Sequence, residues 1–252
     1  MKDSKSYQEK KGFFDTLLTL YGRNVVDEVL ADESLQIYKL HLAKSNKQDG
    51  IVKQIVSKAK QRNIEIVYHD KKALSRISKN ARQDQGVAID IIAPLHMEAT
   101  KLKSHLGESY RVLALDGVQN PQNLGMIIRS AVAGHIDAII LPRHNSAKLS
   151  PLVMKASAGT LFKIPIVYCK TLEDVLDTFD GADIYALSSH AKENIYAANL
   201  KAKTVFVLGN ESEGVSKTVM KYCNNAVSIP MQRGVESLNV AVTASLLAFM
   251  KS

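Results

Sequence analysis

The sequence of 252 residues contains only two cysteines, Cys169 and Cys223. Two cysteines do not imply a disulfide framework, and by themselves they are too few for a zinc site. The histidines show no metal-ligand spacing either. The sequence therefore predicts no bound metal and is typical of a protein from a reducing compartment.

Long hydrophobic runs are also absent. The longest apolar stretch, 240–250, carries Thr243 and Ser245. It is shorter than the roughly 20 apolar residues that a membrane-spanning helix needs. Residues 1–11 are polar, which argues against a signal peptide. We therefore expect a cytoplasmic protein without a membrane anchor.

No Gly-x-Gly-x-x-Gly pattern occurs anywhere in the chain. In Rossmann domains this pattern lets the backbone approach the pyrophosphate of a dinucleotide. Its absence disfavours a nicotinamide-linked α/β enzyme.

Positive charge, in contrast, is abundant and concentrated. The formal net charge is +8 and the pI is about 9.3. The segment 44–82 holds eleven Lys and Arg against three Asp and Glu, an excess of eight that equals the net charge of the whole chain. A solvated basic surface could have this composition, but such concentration favours a nucleic-acid partner.

The first part of the chain shows the mixed periodicities of a small α/β domain, which we place at 12–93, after a disordered tail at 1–11. The helix predicted at 50–62 is basic and amphipathic, with Ile51, Ile55 and Val56 on its buried side. A polar segment at 94–109 is interpreted as a linker. The predicted strands are 35–40, 64–68 and 86–92, and the predicted helices are 25–30, 50–62 and 72–80.

From 110 to 252 nearly continuous apolar strands alternate with helices, which predicts a parallel sheet covered on both faces. The predicted strands are 112–116, 138–141, 164–168, 184–187, 204–208 and 226–229, and the helices include 124–134, 172–179 and 216–222. Ligands of such sheets bind beyond the carboxyl ends of the strands.

Three segments rich in polar residues and glycine fall at those ends. They are 116–130 (DGVQNPQNLGMIIRS), 208–214 (LGNESEG) and 229–239 (IPMQRGVESLN). Each follows a predicted strand and leads into a predicted helix, so we expect the functional site where they meet.

These three segments, in this order, resemble the signature motifs of the SpoU (TrmH) family of RNA ribose 2′-O-methyltransferases. The resemblance implies a SPOUT-type domain with a C-terminal trefoil knot, S-adenosylmethionine as methyl donor, and a homodimer. It extends more weakly to the first domain, through Tyr21-Gly-Arg-Asn-Val-Val and Gln85-Gly-Val. That domain is similar to the small substrate-binding domain of the family.

By resemblance, the catalytic residues are Asn123, Arg129, Glu211, Ser237 and Asn239. Glu211 is expected to orient Arg129 or a neighbouring backbone group. Arg129 either clamps a phosphate and stabilises the developing alkoxide, which we favour, or takes the 2′-hydroxyl proton itself. The first role suits a side chain that is permanently charged.

Some of these residues also have a plainly structural interpretation, and Arg129 could simply reach solvent or a carboxylate. We expect Asn123 to cap its helix after a turn stiffened by Pro121, and Gly125 to allow a close backbone approach. Ser237 has the residue type of a cap for the last helix, whereas Asn239 would lie in the first helical turn.

The cofactor is expected to lie against the second and third segments, with Gly209 allowing its adenosine end to approach the backbone and Ile229 and Leu238 forming apolar walls. By resemblance, the cofactor-binding residues are Leu208, Gly209, Asn210, Ile229, Met231, Ser237, Leu238 and Asn239.

Expected RNA contacts lie in both domains. The segment from Asn145 to Ser150 resembles that of family members that methylate a guanosine ribose in large-subunit ribosomal RNA. The RNA-binding residues are predicted to be Tyr21, Arg23, Lys53, Lys58, Lys60, Arg129, Asn145 and Ser146.

The leading hypothesis is transfer of a methyl group to a ribose of 23S rRNA, most specifically at a guanosine. The same chemistry on transfer RNA is the nearest alternative. A noncatalytic RNA-binding or ribosome-assembly factor with this fold is a further alternative. It predicts damage to the catalytic residues, and all five are intact.

Overall fold

The computed structural model describes residues 17–47, 49–80, 83–92 and 96–250, without the side chains of 96–98. The predicted tail at 1–11 lies outside these ranges. The chain divides into two compact units. One unit comprises 1–94 with 149–155, and the other comprises 95–148 with 156–252.

The first unit contains a four-stranded sheet in the order β1-β4-β2-β3. Strand β4 is antiparallel to both β1 and β2, whereas β2 and β3 are parallel. The elements are β1 (Leu17–Tyr21), α1 (Arg23–Ala31), β2 (Gln36–Ala43), α2 (Gly50–Gln61), β3 (Glu65–His69), α3 (Lys71–Ser78) and β4 (Val87–Ile92). The three strands and three helices predicted here are confirmed, and β1 is an additional strand.

Helix α2 is amphipathic, as predicted, but its buried face is rotated slightly. Ile55 and Val56 are buried, and so are Val52 and Ala59. Ile51, predicted on the buried side, is only half-buried and lies at the edge of that face. The stripe i, i+3, i+4, i+7 begins at Val52, one residue later than expected.

The second unit is built on an eight-stranded sheet in the order β10-β12-β9-β11-β6-β7-β8-β5, with every pair parallel. Its strands are β5 (His96–Glu98), β6 (Tyr110–Leu115), β7 (Ala138–Pro142), β8 (Ile166–Cys169), β9 (Asp183–Leu187), β10 (Glu193–Asn194), β11 (Lys203–Leu208) and β12 (Asn225–Ser228). The predicted parallel sheet is confirmed. No described helix is both long and apolar enough to cross a bilayer.

Helices in this second part of the chain alternate with the strands and help to bury them. They are α4 (Ala99–His105), α5 (Pro121–Ala133), α6 (Pro151–Ala156), α7 (Leu172–Leu176), α8 (Lys217–Met220) and α9 (Val240–Ala248), with 3₁₀ turns at Thr160–Phe162 and Ile195–Ala197. Most of α6 belongs to the segment grouped with the first unit. Strand β6 is buried at every position, as expected for a strand of a sheet covered on both faces.

The segment interpreted as a linker, 94–109, contains regular structure. It includes β5, which pairs with β8, and α4. Polar residues such as Lys101 and Lys103 are exposed on α4, whereas Leu102 is buried.

Helices α5 and α9 pack closely at their carboxyl ends. The hydroxyls of Ser130 and Ser245 are hydrogen-bonded at 2.7 Å, and the His135 amide donates to the Ala248 carbonyl at 2.7 Å. A Cβ added to Gly134 would lie 2.4 Å from the Ala248 oxygen. Only glycine allows this approach without a backbone shift.

Candidate active site

The order of the sheet places the first two polar segments side by side. Strands β6 and β11 are neighbours. From β6 the chain forms β7 and β8 on one side of this pair, and the later strands β9 and β12 lie on the other side. This is the switch point at which open parallel sheets bind ligands. The Asp116 amide donates to the Leu208 carbonyl at 2.7 Å, and the Asp116 carboxylate accepts from the Ser216 amide at 2.8 Å.

A cluster of polar side chains joins all three segments. Glu211 Oε1 accepts hydrogen bonds from Asn123 Nδ2 and from Asn239 Nδ2, each at 2.7 Å. Asn239 Nδ2 also lies 3.2 Å from Asn123 Oδ1. Asn123 is buried, while Glu211 and Asn239 are exposed. The structure therefore brings together three of the five expected catalytic residues.

Glu211 is held by a tight loop. Asn210 Oδ1 accepts from the amides of Ser212 and Glu213 at 2.7 and 2.9 Å, and the Gly214 amide donates to the Asn210 carbonyl at 3.0 Å. A Cβ on Gly209 would lie 1.8 Å from the carbonyl carbon of Gly214. Glycine is therefore required at 209 by the closure of its own loop.

The helix caps differ from the prediction. Helix α5 begins at Pro121, and Asn120 caps it by accepting from the Gln122 amide at 2.9 Å. The expected cap at Asn123 was wrong, because proline is suited to the first helical position and moves the start of the helix forward. This frees the Asn123 side chain for Glu211.

At α9, Asn239 is the cap. Its Oδ1 accepts from the Ala241 amide at 2.9 Å. Ser237 therefore does not cap the helix, and Asn239 precedes the first turn instead of lying in it. One side chain thus serves both the helix and the cluster, because its oxygen and its nitrogen face different partners.

Arg129 and Ser237 stand apart from the hydrogen-bonded cluster. Arg129 lies on the exposed side of α5, and its guanidinium makes no hydrogen bond or ion pair with any residue that the structure describes. Glu211 therefore orients the side-chain amide groups of Asn123 and Asn239, and it does not contact Arg129. Ser237 is exposed in the loop before α9.

The expected cofactor residues of the third segment form a half-buried apolar set of Ile229, Met231 and Leu238. The structure describes every residue from 229 to 238. Within this loop, one backbone hydrogen bond is formed, from the Val235 amide to the Gln232 carbonyl at 3.2 Å. Apolar side chains beside unpaired peptide groups fit a planar base with polar edges. Leu208 is buried within the sheet, so its side chain is not available to a ligand.

In the first unit, the two motifs of the weaker resemblance adjoin each other. The Arg23 amide donates to Gln85 Oε1 at 3.1 Å, and its guanidinium donates to the Gln85 carbonyl at 3.4 Å and to Asn46 Oδ1 at 3.3 Å. The Tyr21 hydroxyl accepts from Asn80 at 2.8 Å. Both predicted RNA contacts are therefore engaged within the domain.

The predicted lysines of α2 are not equivalent. Lys58 forms an ion pair with Asp27 at 2.8 Å and also donates to the Asp27 carbonyl at 3.3 Å. Lys53 and Lys60 are exposed, and their ammonium groups have no ion-pair partner among the residues that the structure describes. Only the latter two are available to a polyanion without breaking a contact.

Asn145 and Ser146 lie in the loop after β7, close to the first polar segment. Gln119 Nε2 donates to Asn145 Oδ1, and the Ala147 amide donates to the Val118 carbonyl at 2.8 Å. Ser146 Oγ is buried and has no hydrogen-bond partner within the described part of the chain. Their predicted RNA contacts stay predictions.

Sequence reasoning missed two residues that hold the loops together and the structural role of a third. Asp116 links the first two segments and Asn120 caps α5, whereas Asn210, predicted only as a cofactor-binding residue, organises the loop that carries Glu211. All three are Asp or Asn shortly after strands or before helices, positions where such side chains commonly bond to the backbone. That position was the available signal.

Comparison with known proteins identifies this arrangement. The SpoU rRNA methylase family matches residues 110–249, and the domain described as RNA 2′-O ribose methyltransferase substrate binding matches residues 19–96. The chain belongs to the SpoU rRNA methylase family. The chain is therefore an S-adenosylmethionine-dependent RNA 2′-O-methyltransferase.

Relatives of this SpoU chain cover both units. It is similar to the 23S rRNA (guanosine-2′-O-)-methyltransferase RlmB of Neisseria meningitidis serogroup B, with 30% identity over 230 residues, 90% of this chain and 92% of the relative. The crystal structure of AviRb from Streptomyces viridochromogenes with AdoMet has the same fold, with a TM-score of 0.72 and 19% identity over 97% of this chain and 91% of that one. An AdoMet-bound rRNA methyltransferase of Sinorhizobium meliloti gives a TM-score of 0.66 and 22% identity, covering 97% and 88%.

Proposed function

We propose that this SpoU protein methylates the ribose 2′-hydroxyl of a guanosine in 23S rRNA. The observation that carries the proposal is the similarity to a 23S rRNA guanosine methyltransferase over both units, with 92% of that relative covered. A likeness confined to the catalytic unit would have left the RNA class open. The substrate-binding match at 19–96 supports a role of the first unit in binding the RNA substrate.

The chemistry requires three atoms in line and a hydroxyl that loses its proton. S-adenosylmethionine, when bound, supplies an electrophilic methyl group on a sulfonium. The loop at 229–238 would hold its adenine through Ile229, Met231 and Leu238, and Gly209 and Asn210 would adjoin its ribose. Positioning of reactants in this way can supply much of the acceleration.

The cluster of Asn123, Glu211 and Asn239 would fix the reacting groups. Glu211 accepts both amides through one oxygen, leaving its second carboxylate oxygen for a ligand hydroxyl. Ser237, next to the cluster in sequence, adds a hydroxyl. Arg129, exposed and unpaired with described residues, would clamp a phosphate of the target nucleotide and stabilise the developing alkoxide.

The RNA would also contact the first unit. Lys53 and Lys60 on α2 offer unpaired positive charge, and Lys58 contributes to the field of the same helix while bound to Asp27. Tyr21 and Arg23 would contribute indirectly. They stabilise a loop whose surface would recognise the shape of folded RNA. Asn145 and Ser146 would contribute from the catalytic unit.

A homodimer is part of the proposal. Helix α9 is apolar all round, and a helix of this kind is normally buried on every side. One side packs on α5, whereas Val242, Leu246 and Phe249 are exposed and border a cavity of about 600 Å³. A second copy of the chain would cover this face. Sedimentation of Leu246→Glu as a dimer would contradict this interface.

We further propose a C-terminal trefoil knot, a cytoplasmic location, and a first domain at 12–93; the predicted limit of the second domain at 110 leaves out β5 and α4, which belong to its unit. The match of the SpoU family to residues 110–249 supports the second domain and its topology. The location follows from the proposed ribosomal substrate.

The test is incorporation of methyl groups from labelled S-adenosylmethionine into rRNA and tRNA from a strain that lacks the modification, followed by nucleoside analysis. Labelled 2′-O-methylguanosine in 23S rRNA is the expected result. Label confined to tRNA would keep the chemistry and change the substrate. RNA binding without label in either fraction would overturn the enzymatic proposal in favour of an assembly factor.

A further inference from the structure

Two cations stand side by side at the carboxyl edge of the catalytic sheet, away from the polar cluster. Arg143 and Lys170 are the first residues after β7 and β8. The strand register pairs Pro142 with Cys169, and the Arg143 amide donates to the Cys169 carbonyl at 2.8 Å. The sheet itself therefore fixes the two positive residues next to each other.

Both residues line a cavity of about 310 Å³ that also involves Thr100 and Tyr168. The Arg143 guanidinium carbon lies 6.0 Å from the centre of the Tyr168 ring, at the limit for a cation–π contact. The guanidinium therefore lies near the ring, and its N–H groups have no hydrogen-bond partner within the described part of the chain.

These charges lack a counterion in the part of the chain that the structure describes. Arg143 and Lys170 are exposed, and neither forms an ion pair with a described residue. Asp174 also lines the cavity, and Asp174 and Glu173 both act electrostatically on Cys169, but neither acid forms an ion pair with the two cations. Burial raises the pKa of the Cys169 thiol to about 11, so this thiol adds no negative charge at neutral pH.

Such a pair suits an anion that carries several acceptor oxygens. The planar guanidinium can donate two parallel hydrogen bonds to a phosphate, and an ammonium adds a point charge. A nucleobase is a poorer fit, because the guanidinium already lies over the aromatic ring that a base would stack on.

The position of the pair relates it to the active centre. In the sheet order, β7 and β8 follow β6, whose carboxyl end carries the first polar segment. Neighbouring strands are about 4.8 Å apart, so the end of β8 lies about 10 Å from the end of β6 along the same edge. A strand of RNA entering the site can span this distance.

We propose that Arg143 and Lys170 bind a backbone phosphate of the RNA substrate, flanking the nucleotide whose ribose is methylated. The proposal rests on the proposed function, because it assumes that RNA enters at the β6–β11 switch point. The subsite holds the strand in register without reading its sequence.

The test compares Arg143→Gln/Lys170→Gln with the wild type on protein-free 23S rRNA from a strain lacking the modification. Filter binding at several salt concentrations and steady-state methylation are measured. The variant should lose the contact with the one phosphate that both residues bind. The slope of log K against log salt should therefore become less steep by about 0.7. The KM for RNA should rise several-fold, while kcat at saturating RNA and the Kd for S-adenosylmethionine stay unchanged.

The matched control removes two charges from the opposite edge. Lys163 precedes β8 and Lys203 begins β11, so Lys163→Gln/Lys203→Gln has the same net charge but leaves the subsite intact. The charge-preserving swap Arg143→Lys/Lys170→Arg should retain most of the salt slope. Thermal unfolding of each variant separates an effect on RNA binding from an effect on folding.

A folded glutamine variant with the same KM and salt slope as the control would overturn the subsite. A fall in kcat with unchanged KM would also contradict it, since that result indicates a role in the chemistry. Absence of methyl transfer by the wild type itself would instead overturn the proposed function.

Discussion

Glu211 accepts a hydrogen bond from Asn123 at 2.7 Å although the two residues lie 88 positions apart. Their strands, β11 and β6, are neighbours at the switch point of the parallel sheet. The same carboxylate oxygen accepts from Asn239, so one acidic side chain connects three loops. The cluster is therefore assembled by the sheet and held mainly by Glu211, with a longer hydrogen bond of 3.2 Å from Asn239 Nδ2 to Asn123 Oδ1.

Replacing Glu211 with alanine should disconnect the cluster. Asn123 and Asn239 would lose their shared acceptor, and a misplacement of about 1 Å at a reacting group can lower a rate about 100-fold. We expect a fall of that order in kcat for methyl transfer to rRNA. Glu213→Ala is the matched control, since Glu213 is exposed in the same loop. Equal activity of the two variants would contradict the assigned role.

Arg129→Ala should abolish methyl transfer and leave the Kd for S-adenosylmethionine nearly unchanged. The reason is that Arg129 lies on α5, outside the loop at 229–238 that we assign to the cofactor. Arg129→Lys should recover only part of the activity, because lysine lacks the planar fork. Cofactor titration calorimetry and methylation assays measure the two quantities, and parallel loss of both would refute the assignment.

Gly209→Ala should destabilise the catalytic unit. The added methyl group would lie 1.8 Å from the carbonyl carbon of Gly214, so the loop carrying Glu211 must shift. Overpacking of this kind typically costs about 1–3 kcal/mol, and the shift should also weaken cofactor binding. Gly107→Ala provides the control, because its new Cβ would meet nothing closer than the Ser109 oxygen at 3.7 Å. Urea unfolding of both variants would show the difference, and identical midpoints would exclude the clash.

The lysines of α2 should differ in their effect on RNA binding, because Lys58 is ion-paired within the protein and Lys53 and Lys60 are not. Lys53→Gln/Lys60→Gln should lower the salt slope of RNA binding by about 0.7 for each phosphate that the variant no longer binds. Lys58→Gln should affect the free energy of unfolding instead, because Lys58 bridges to Asp27 on α1. If all three charges contribute equally to the slope, the ion pair does not restrict Lys58.

Stability of the first unit should fall at low pH. His41 contacts His69 at 3.0 Å and Asp90 at 3.1 Å. Burial, the largest effect, together with His41 and Lys44, lowers the pKa of His69 below its ordinary 6.5, against a smaller opposing effect of Asp70. As pH falls, His69 is therefore protonated in the unfolded chain at a higher pH than in the folded protein. The stability that neutral His69 contributes is present above pH 6.5 and is lost as pH falls below it.

Asp90 adds to the same trend at lower pH. Burial raises the pKa of Asp90, but hydrogen bonds from His41 and Thr19 outweigh it, and the net pKa lies below 3.8. Its contribution is present above that pH and is lost as the carboxylate is protonated. Urea unfolding between pH 5 and 8 measures how the free energy of unfolding depends on pH. His69→Asn should make this dependence weaker than in the wild type, whereas His190→Gln, at an exposed position, should leave it unchanged. An equal slope in all three proteins would disprove the effect.

Much of the catalytic unit could be predicted because its strands are apolar runs that end in polar, glycine-containing loops. The alternation of Thr204–Leu208 with helices, for example, identifies a parallel strand, and the carboxyl end of such a strand is where a site forms. The meeting of Asn123, Glu211 and Asn239 then follows from the topology and the family resemblance.

Other features depend on tertiary contacts that leave no local signal. The strand His96–Glu98 is short and polar and is defined by its pairing with β8. The two asparagines at 120 and 123 are equally good cap residues, and the position of Pro121 decides between them. That Lys58 is ion-paired and Lys53 is not depends on Asp27, in a different helix.

The cap of α9 has a thermodynamic consequence. Asn239 cannot hold both Glu211 and the Ala241 amide once the first turn of α9 opens, so local opening of that turn and disassembly of the cluster are one equilibrium. A ligand that requires the closed cluster must therefore raise the opening free energy of α9 by mass action. Slower amide exchange in the first turn of α9 would then report occupancy of a site that these amides never touch.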